Sequence, residues 1–311
     1  MAPAIALGDE VRAAIADRRP VVALESTLVA HGLPWPENFA VGRALEDEVR
    51  QHGAVPATVA VVRGRLTVGI DAATLERMAR GGEGGQAPWL KTGVADLGPL
   101  VARGGDGATT VSATTFAAAR AGLRVFATGG IGGVHRGDGM DVSSDLGTLA
   151  REPVAVVSAG CKAILDLPRT LEALETLGVL VLGVRTDEFP AFYTRTSGLG
   201  LMLEHRVDSA EDAARVLHAH WSLQRSGVLL ANPIPKAHEL DRATIDAAIA
   251  QALDDAARLG LRGKALTPHL LSFVARATHK RSLAANRALA IHNAAFAADV
   301  ASALAALPPL P

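Results

Sequence analysis

Cysteine is nearly absent: Cys161 is the only one in 311 residues. An internal disulfide framework is therefore excluded, and the usage fits a reducing compartment. Excess charge is missing too. There are 32 acidic and 31 basic residues, for a net charge near −1. Nothing in that balance points to a nucleic acid polymer or an anionic membrane as partner. No apolar run reaches the roughly 18 residues of a bilayer span. The opening MAPAIALGDEVRAAI lacks the basic start and long apolar segment of a secretory signal. These absences predict a soluble, cytoplasmic protein.

Lysine is the last scarcity. Of the 31 basic residues, five are lysines: Lys91, Lys162, Lys236, Lys264 and Lys280. A lysine in an apolar setting is then the more noteworthy. Buried lysine can lose its proton near neutral pH and form a Schiff base, whereas arginine cannot.

What the chain does have is 49% apolar residues, enough to bury a large core. Short apolar runs alternate with Ala/Leu-rich helical patterns. Strands are expected at 20–26, twice within 58–70 around an Arg-Gly turn, and at 123–130, 153–160, 179–186 and 227–233. Helices are expected at 36–53 with Gly53 as stop, from the cap Asp71 to Arg80, at 108–122 starting at threonines, and at 163–178. Segment 81–86, GGEGGQ, reads as a loop. The C-terminal part reads as helices at 241–259, 267–279 and 282–306. This alternation argues for one layered α/β domain over 1–311, with a largely parallel central sheet and a helical C-terminal segment. Functional residues belong where its strands end.

Four stretches carry chemistry. Glu25 closes the strand VVALES. Desolvation there would raise its pKa and suit it to proton transfer, while the plainer reading is a loop cap or an arginine partner. TGGIGGVHRG, 128–137, packs four glycines into five positions, which lets backbone N–H groups approach an anion, and His135 and Arg136 follow. Neither complete nucleotide-binding glycine motif is present. DVSSDL places Asp141, Ser143, Ser144 and Asp145 together. It can hold a water-rich Mg²⁺ or Mn²⁺ ion or a polyol, or serve merely as a helix N-cap. In SAGCKAILDL, Lys162 is expected just after a strand, at the start of a helix. The helix N-terminus and apolar neighbours would both disfavour the ammonium form and free the amine for attack on a sugar carbon. The alternative is a lysine whose stem crosses apolar ground to reach water. Cys161 reads as a small packing residue. Lys91, His31, Arg195, Ser197, Asn232, Asn286 and Asn293 each read as structural when taken singly. His218 and His220 point to opposite sides of a helix and form no metal pair.

Taken in order, VVALEST, HGLPWPEN, GAVPAT, GATTVSATT, FATGGIGGVHRG, DVSSDL, SAGCKAILDL, PAFYTRTSG and ANPIP closely resemble the pseudouridine-5′-phosphate glycosidase family, from about residue 20 to residue 300. The resemblance implies a three-layer α/β/α enzyme, a homotrimer using a divalent metal, typically Mn²⁺. It implies reversible cleavage of the C–C bond of pseudouridine 5′-phosphate to uracil and ribose 5-phosphate. By this likeness Lys162 is the nucleophile, Glu25 the proton donor and Asp141 the metal ligand. Lys91, Val111 and Ser143, Ser144 and Asp145 match substrate-binding positions, and Thr128, His135 and Asn286 look like further pocket residues.

A carbon leaving group tolerates negative charge poorly, so an imine at Lys162 would supply the electron sink that a pair of carboxylates lacks. Two departures stand out. Ala95 precedes Asp96 where the family phrase generally has arginine. The link between HRG and Asp141 is also short, only Asp138, Gly139 and Met140. The competing readings are an aldolase-like Schiff-base lyase on a sugar phosphate, a sugar kinase and a non-catalytic sugar-phosphate binder. The kinase reading lacks its glycine-rich ATP anion hole.

Overall fold

The structure, a computed structural model, describes residues 5–81, 88–137, 140–261 and 266–309. Most of the expected 81–86 loop, and Asp138 and Gly139 of the short link, lie outside the described residues.

The strands in chain order are β1 (Ile5–Leu7), β2 (Val21–Leu24), β3 (Val55–Val62), β4 (Arg65–Val68), β5 (Leu90–Thr92), β6 (Gly107–Thr109), β7 (Val125–Ala127), β8 (Ala155–Ser158), β9 (Leu180–Val184), β10 (Arg206–Val207) and β11 (Val228–Ala231). Their main order in the sheet is β1-β4-β3-β2-β7-β8-β11-β9-β10. Strands β2, β7, β8 and β11 are buried along almost their whole length, which explains their almost wholly apolar composition. The sheet is parallel except where β3 meets β4 and β6.

Strand β3 organises the centre of the molecule. Its first half, Val55–Thr58, pairs with β2, and its second half, Val59–Val62, pairs with β4. Strand β6 pairs antiparallel at Ala60 and Val61, on the edge that β4 leaves free. Strands β2 and β6 therefore lie end to end along one edge of β3 with their C-terminal ends facing each other. Hydroxyls seal the junction: Ser26 Oγ donates to Val59 O at 2.6 Å and accepts from Thr109 N at 2.9 Å, and Thr109 Oγ1 donates to the same carbonyl at 2.7 Å.

The helices are α1 (Asp9–Ala16), α2 (Thr27–His31), α3 (Glu37–Gln51), α4 (Ala72–Arg80), α5 (Leu97–Ala102), α6 (Val111–Arg120), α7 (Ser144–Leu149), α8 (Leu167–Thr176), α9 (Ala210–Leu223), α10 (Arg242–Arg258), α11 (Leu266–Ala277) and α12 (Arg281–Ala305). Asp71 caps α4 as expected, accepting from Thr74 N. Helices α6 and α12 both pack on β2 and β7, and two helices cannot cover the same short strands from one side, so they lie on opposite faces. Helix α12 is long and apolar enough to cross a bilayer by composition. Here it is a core helix against β2, β7 and β8, with Leu289, Ala294 and Phe296 buried.

Two helix starts differ from expectation. The helix expected from residue 108 begins at Val111, because Gly107–Thr109 is drawn into β6. The helix expected from 163 begins at Leu167. Asp166 is its N-cap, accepting from Arg169 N at 3.0 Å, and Pro168 sits just inside the start. Asp166 N is bonded to Val134 O at 2.9 Å, which holds the chain off helical geometry up to that point.

Candidate active site

Glu25 is the first residue beyond β2, at the junction with β6. Its two carboxylate oxygens are each approached by a hydroxyl, Thr27 at Oε2 and Thr128 at Oε1. Thr27 opens α2 and Thr128 follows β7, so two neighbouring strand ends hold one carboxyl. A hydroxyl donates or accepts by rotation, so this pair can serve the group with or without its proton.

Lys162 follows β8. Its main chain is fixed where the glycine loop pairs with the segment after β8: Ile131 N donates to Gly160 O and Lys162 N donates to Ile131 O, each at 3.1 Å. Gly160 makes this path open to glycine alone, with φ +79° and a Cβ position that would lie 2.3 Å from Pro190 O. Lys162 is half-buried, and among the described residues its side chain makes no hydrogen bond or ion pair. It is not at a helix N-terminus: the turn at 163–165 separates it from α8, so the helix-dipole part of the sequence argument does not apply. Arg136 spans that turn, donating to Leu165 O at 3.2 Å and Ala163 O at 3.3 Å. Cys161 is fully buried, its thiol pushed up to about 12 by desolvation, as befits a packing residue.

A second group of charges gathers nearby. His135 is half-buried, and its N–H donates to Asp141 O at 2.9 Å. Its imidazole is held below the ordinary value chiefly by burial. Asp141 opposes the shift, while Lys162 and Lys91 reinforce it. His31 at the end of α2 is lowered by partial burial and by Lys91. Lys91, Lys162, His135, His31 and Asp141 thus share one electrostatic neighbourhood. Its excess of cationic and imidazole groups suits a phosphate.

Asp145 ties the walls together. It is 5% exposed, and its two oxygens accept Ser112 N and Gly132 N, both at 2.8 Å. Ser143 plays the capping role allowed for it, accepting from Asp145 N at 3.2 Å at the start of α7. Ser144 Oγ donates to Ser112 Oγ at 3.0 Å. Gly132 has no room for a side chain, since a Cβ there would lie 2.3 Å from Ser143 Oγ. The Val111 side chain is buried at the first position of α6, so what this residue offers a ligand is its main-chain amide. Asn286 on α12 lies beside Gly129, its Oδ1 3.1 Å from where a Cβ would stand. Ala95 is exposed beside Asp96, whose carboxylate accepts Gly93 N at 2.8 Å.

The expected residues therefore converge from β2, β5, β7, β8, α6, α7 and α12. Sequence reasoning missed Thr27, whose signal was a hydroxyl two positions after Glu25. It also missed Ser112 as a support, and nothing local marks it; Arg136, singled out for following the glycine loop, here braces the 163–165 turn. No group of three His, Cys, Asp or Glu side chains able to enclose a metal occurs among the described residues. The exposed Asp141 offers one hard oxygen donor. That fits a divalent cation keeping water and substrate phosphate as its other ligands. Two surface grooves lie elsewhere: one of about 730 Å³ between α9 and α12, and one of about 400 Å³ where the starts of β2 and β7 meet the end of α12. Neither contains this cluster, so chemistry rather than groove size selects the site.

Comparison with known proteins identifies the family. Residues 10–303 match the family described as indigoidine synthase A like protein. A pseudouridine-5′-phosphate glycosidase of Caldanaerobacter subterraneus subsp. tengcongensis is 51% identical over 96% of this chain and 95% of its own. One from Sorangium cellulosum is 50% identical over 97% and 94%. Among solved structures, the prealnumycin C-glycosynthase AlnA, in complex with ribulose 5-phosphate, superposes with TM-score 0.88 at 40% identity, covering 97% of both chains. An indigoidine synthase A-like protein of Thermotoga maritima gives 0.86 at 33% identity, covering 97% and 96%. The chain belongs to the indigoidine synthase A-like family, the family of the pseudouridine-5′-phosphate glycosidases.

Proposed function

We propose that this enzyme reversibly cleaves the C–C glycosidic bond of pseudouridine 5′-phosphate, giving uracil and ribose 5-phosphate, through an imine at Lys162. The observation that carries the reading is the placement of Lys162. A half-buried lysine without a side-chain partner among the described residues stands at a strand end beside a cationic cluster. The relatives' names supply the substrate class.

In the proposed course the Lys162 amine attacks C1′, the C1′–O4′ bond breaks, and the ring oxygen takes a proton. The nitrogen lone pair then forms C=N as the C1′–C5 bond breaks, and Glu25 delivers a proton to uracil C5. Water hydrolyses the imine to release ribose 5-phosphate and restore the amine. Thr27 and Thr128 orient Glu25. Lys91, the Val111 amide, Ser143, Ser144 and the glycine-loop amides face the phosphate and sugar, with Asp145 holding that wall in place. His135 and Asn286 border the base and ribose.

Asp141 would hold a divalent cation, most readily Mn²⁺, which would supply charge neutralisation at the phosphate. Loss of activity on chelation and its recovery with Mn²⁺ test that part. A homotrimer would cover exposed apolar side chains such as Met140 and Val142, which sedimentation tests. A cytoplasmic location fits the cysteine usage, and cell fractionation tests it.

Incubation with pseudouridine 5′-phosphate should release uracil, and borohydride with ribose 5-phosphate should label Lys162. Lys162→Arg should abolish both, because arginine cannot form the imine. Full turnover in that variant would refute the assignment. A second reading, an aldolase-like lyase on ketose phosphates, draws on the ribulose 5-phosphate bound by AlnA. Turnover of ketose phosphates without uracil release would favour it.

A further inference from the structure

Helix α12 is apolar around most of its circumference, as a core helix should be, yet Asn293 lies within it fully buried. An unpaired buried carboxamide is strongly destabilising, and a leucine of similar size would avoid the difficulty. The partners of Asn293 explain its presence. Its Nδ2 donates to Thr128 O at 2.8 Å and reaches Gly129 O at 3.5 Å, and its Oδ1 accepts from Asn232 Nδ2 at 3.0 Å. Asn232, also buried, follows β11, and its main-chain N–H donates to Ser158 O at 2.8 Å. The two asparagines therefore bridge the ends of β7 and β11 across β8, the strand that leads to Lys162. The carbonyl that Asn293 grips belongs to Thr128, whose hydroxyl meets Glu25 Oε1.

We infer that Asn293, backed by Asn232, is a positioning residue for the proton donor. It holds the Thr128 main chain so that the hydroxyl meets Glu25, and through this contact α12 sets the proton-transfer step. The inference rests on the proposed role of Glu25. Its placement also explains a separation of effects: the bridge touches the Glu25 support and leaves the Lys162 side chain alone.

The test measures kcat, KM and their pH profiles for uracil release by Asn293→Ala and Asn232→Ala, together with borohydride trapping of ribose 5-phosphate at Lys162. Asn293→Ala should lower kcat by about 10²-fold, the size of effect expected when a catalytic group is displaced. KM should change little, the pH profile of kcat should change shape, and trapping should continue at the wild-type rate. Asn232→Ala leaves the Thr128 contact in place and should show the same pattern at smaller amplitude. It also serves as the test if Asn293→Ala does not fold. Wild-type kcat and pH profile in the folded variants would overturn the inference. So would losses of turnover and trapping in parallel with the folded fraction. Failure of the wild-type enzyme to release uracil would instead sink the functional reading itself.

Discussion

Asp145→Asn is the sharpest test of how the site wall is built. The side chain is 5% exposed and each oxygen accepts a main-chain N–H at 2.8 Å, one from the start of α6 and one from the glycine loop. The amide keeps one acceptor and turns an NH₂ group toward the other donor. One charge-assisted bond, about 1.5–3 kcal/mol, is lost and a buried N–H is left unsatisfied, adding about 1–3 kcal/mol. These terms overlap, so the expected destabilisation is about 2–5 kcal/mol. For a chain of this size each kcal/mol lowers Tm by about 2 °C, which predicts a drop of about 4–10 °C in a thermal melt followed by circular dichroism. Ser143→Ala is the control. It removes only the α7 cap, about 1 kcal/mol or about 2 °C. The reasoning fails if Asp145→Asn lowers Tm no more than Ser143→Ala does, because the two amides would then not depend on that carboxylate.

Thr27→Val deletes one of the two hydroxyls at Glu25 and should lower kcat about tenfold, the equivalent of one net hydrogen bond; an unchanged kcat in steady-state assays would show that hydroxyl to be idle. Stability should fall as pH drops below about 6.5. His31, His135, His220 and His292 are all held below their ordinary value, chiefly by burial. The unfolded chain therefore binds protons before the folded one does, and the loss begins at the unfolded value and deepens toward the folded ones. Glu46, raised chiefly by burial, works in the opposite sense above about 4.5, but as one group against four. Melts across this range that are flat, or that rise toward acid, would contradict the assignment.

The sequence by itself determined the α/β class and nearly all the long elements, because unbroken apolar strands and capped amphipathic helices are local patterns. Asp71, Gly53 and the strand before Lys162 all act through near neighbours in the chain. It also carried the candidate residues, since Glu25, Lys162 and the glycine loop are unusual wherever they fold. Tertiary structure alone decided the rest. Strands β5 and β6 are three residues each and exist through pairing with β3 and with each other. The end-to-end meeting of β6 with β2 is what brings the start of α6 to the strand end that carries Glu25, with Lys91 beside it on β5. Asp166 and its bridge to Val134 moved the start of α8 away from Lys162 and removed a helix dipole that local pattern had promised. The grip of Asn293 on Thr128 spans 165 positions. Hydrogen bonds of that kind depend on where the chain returns in space, which no local pattern of residues records.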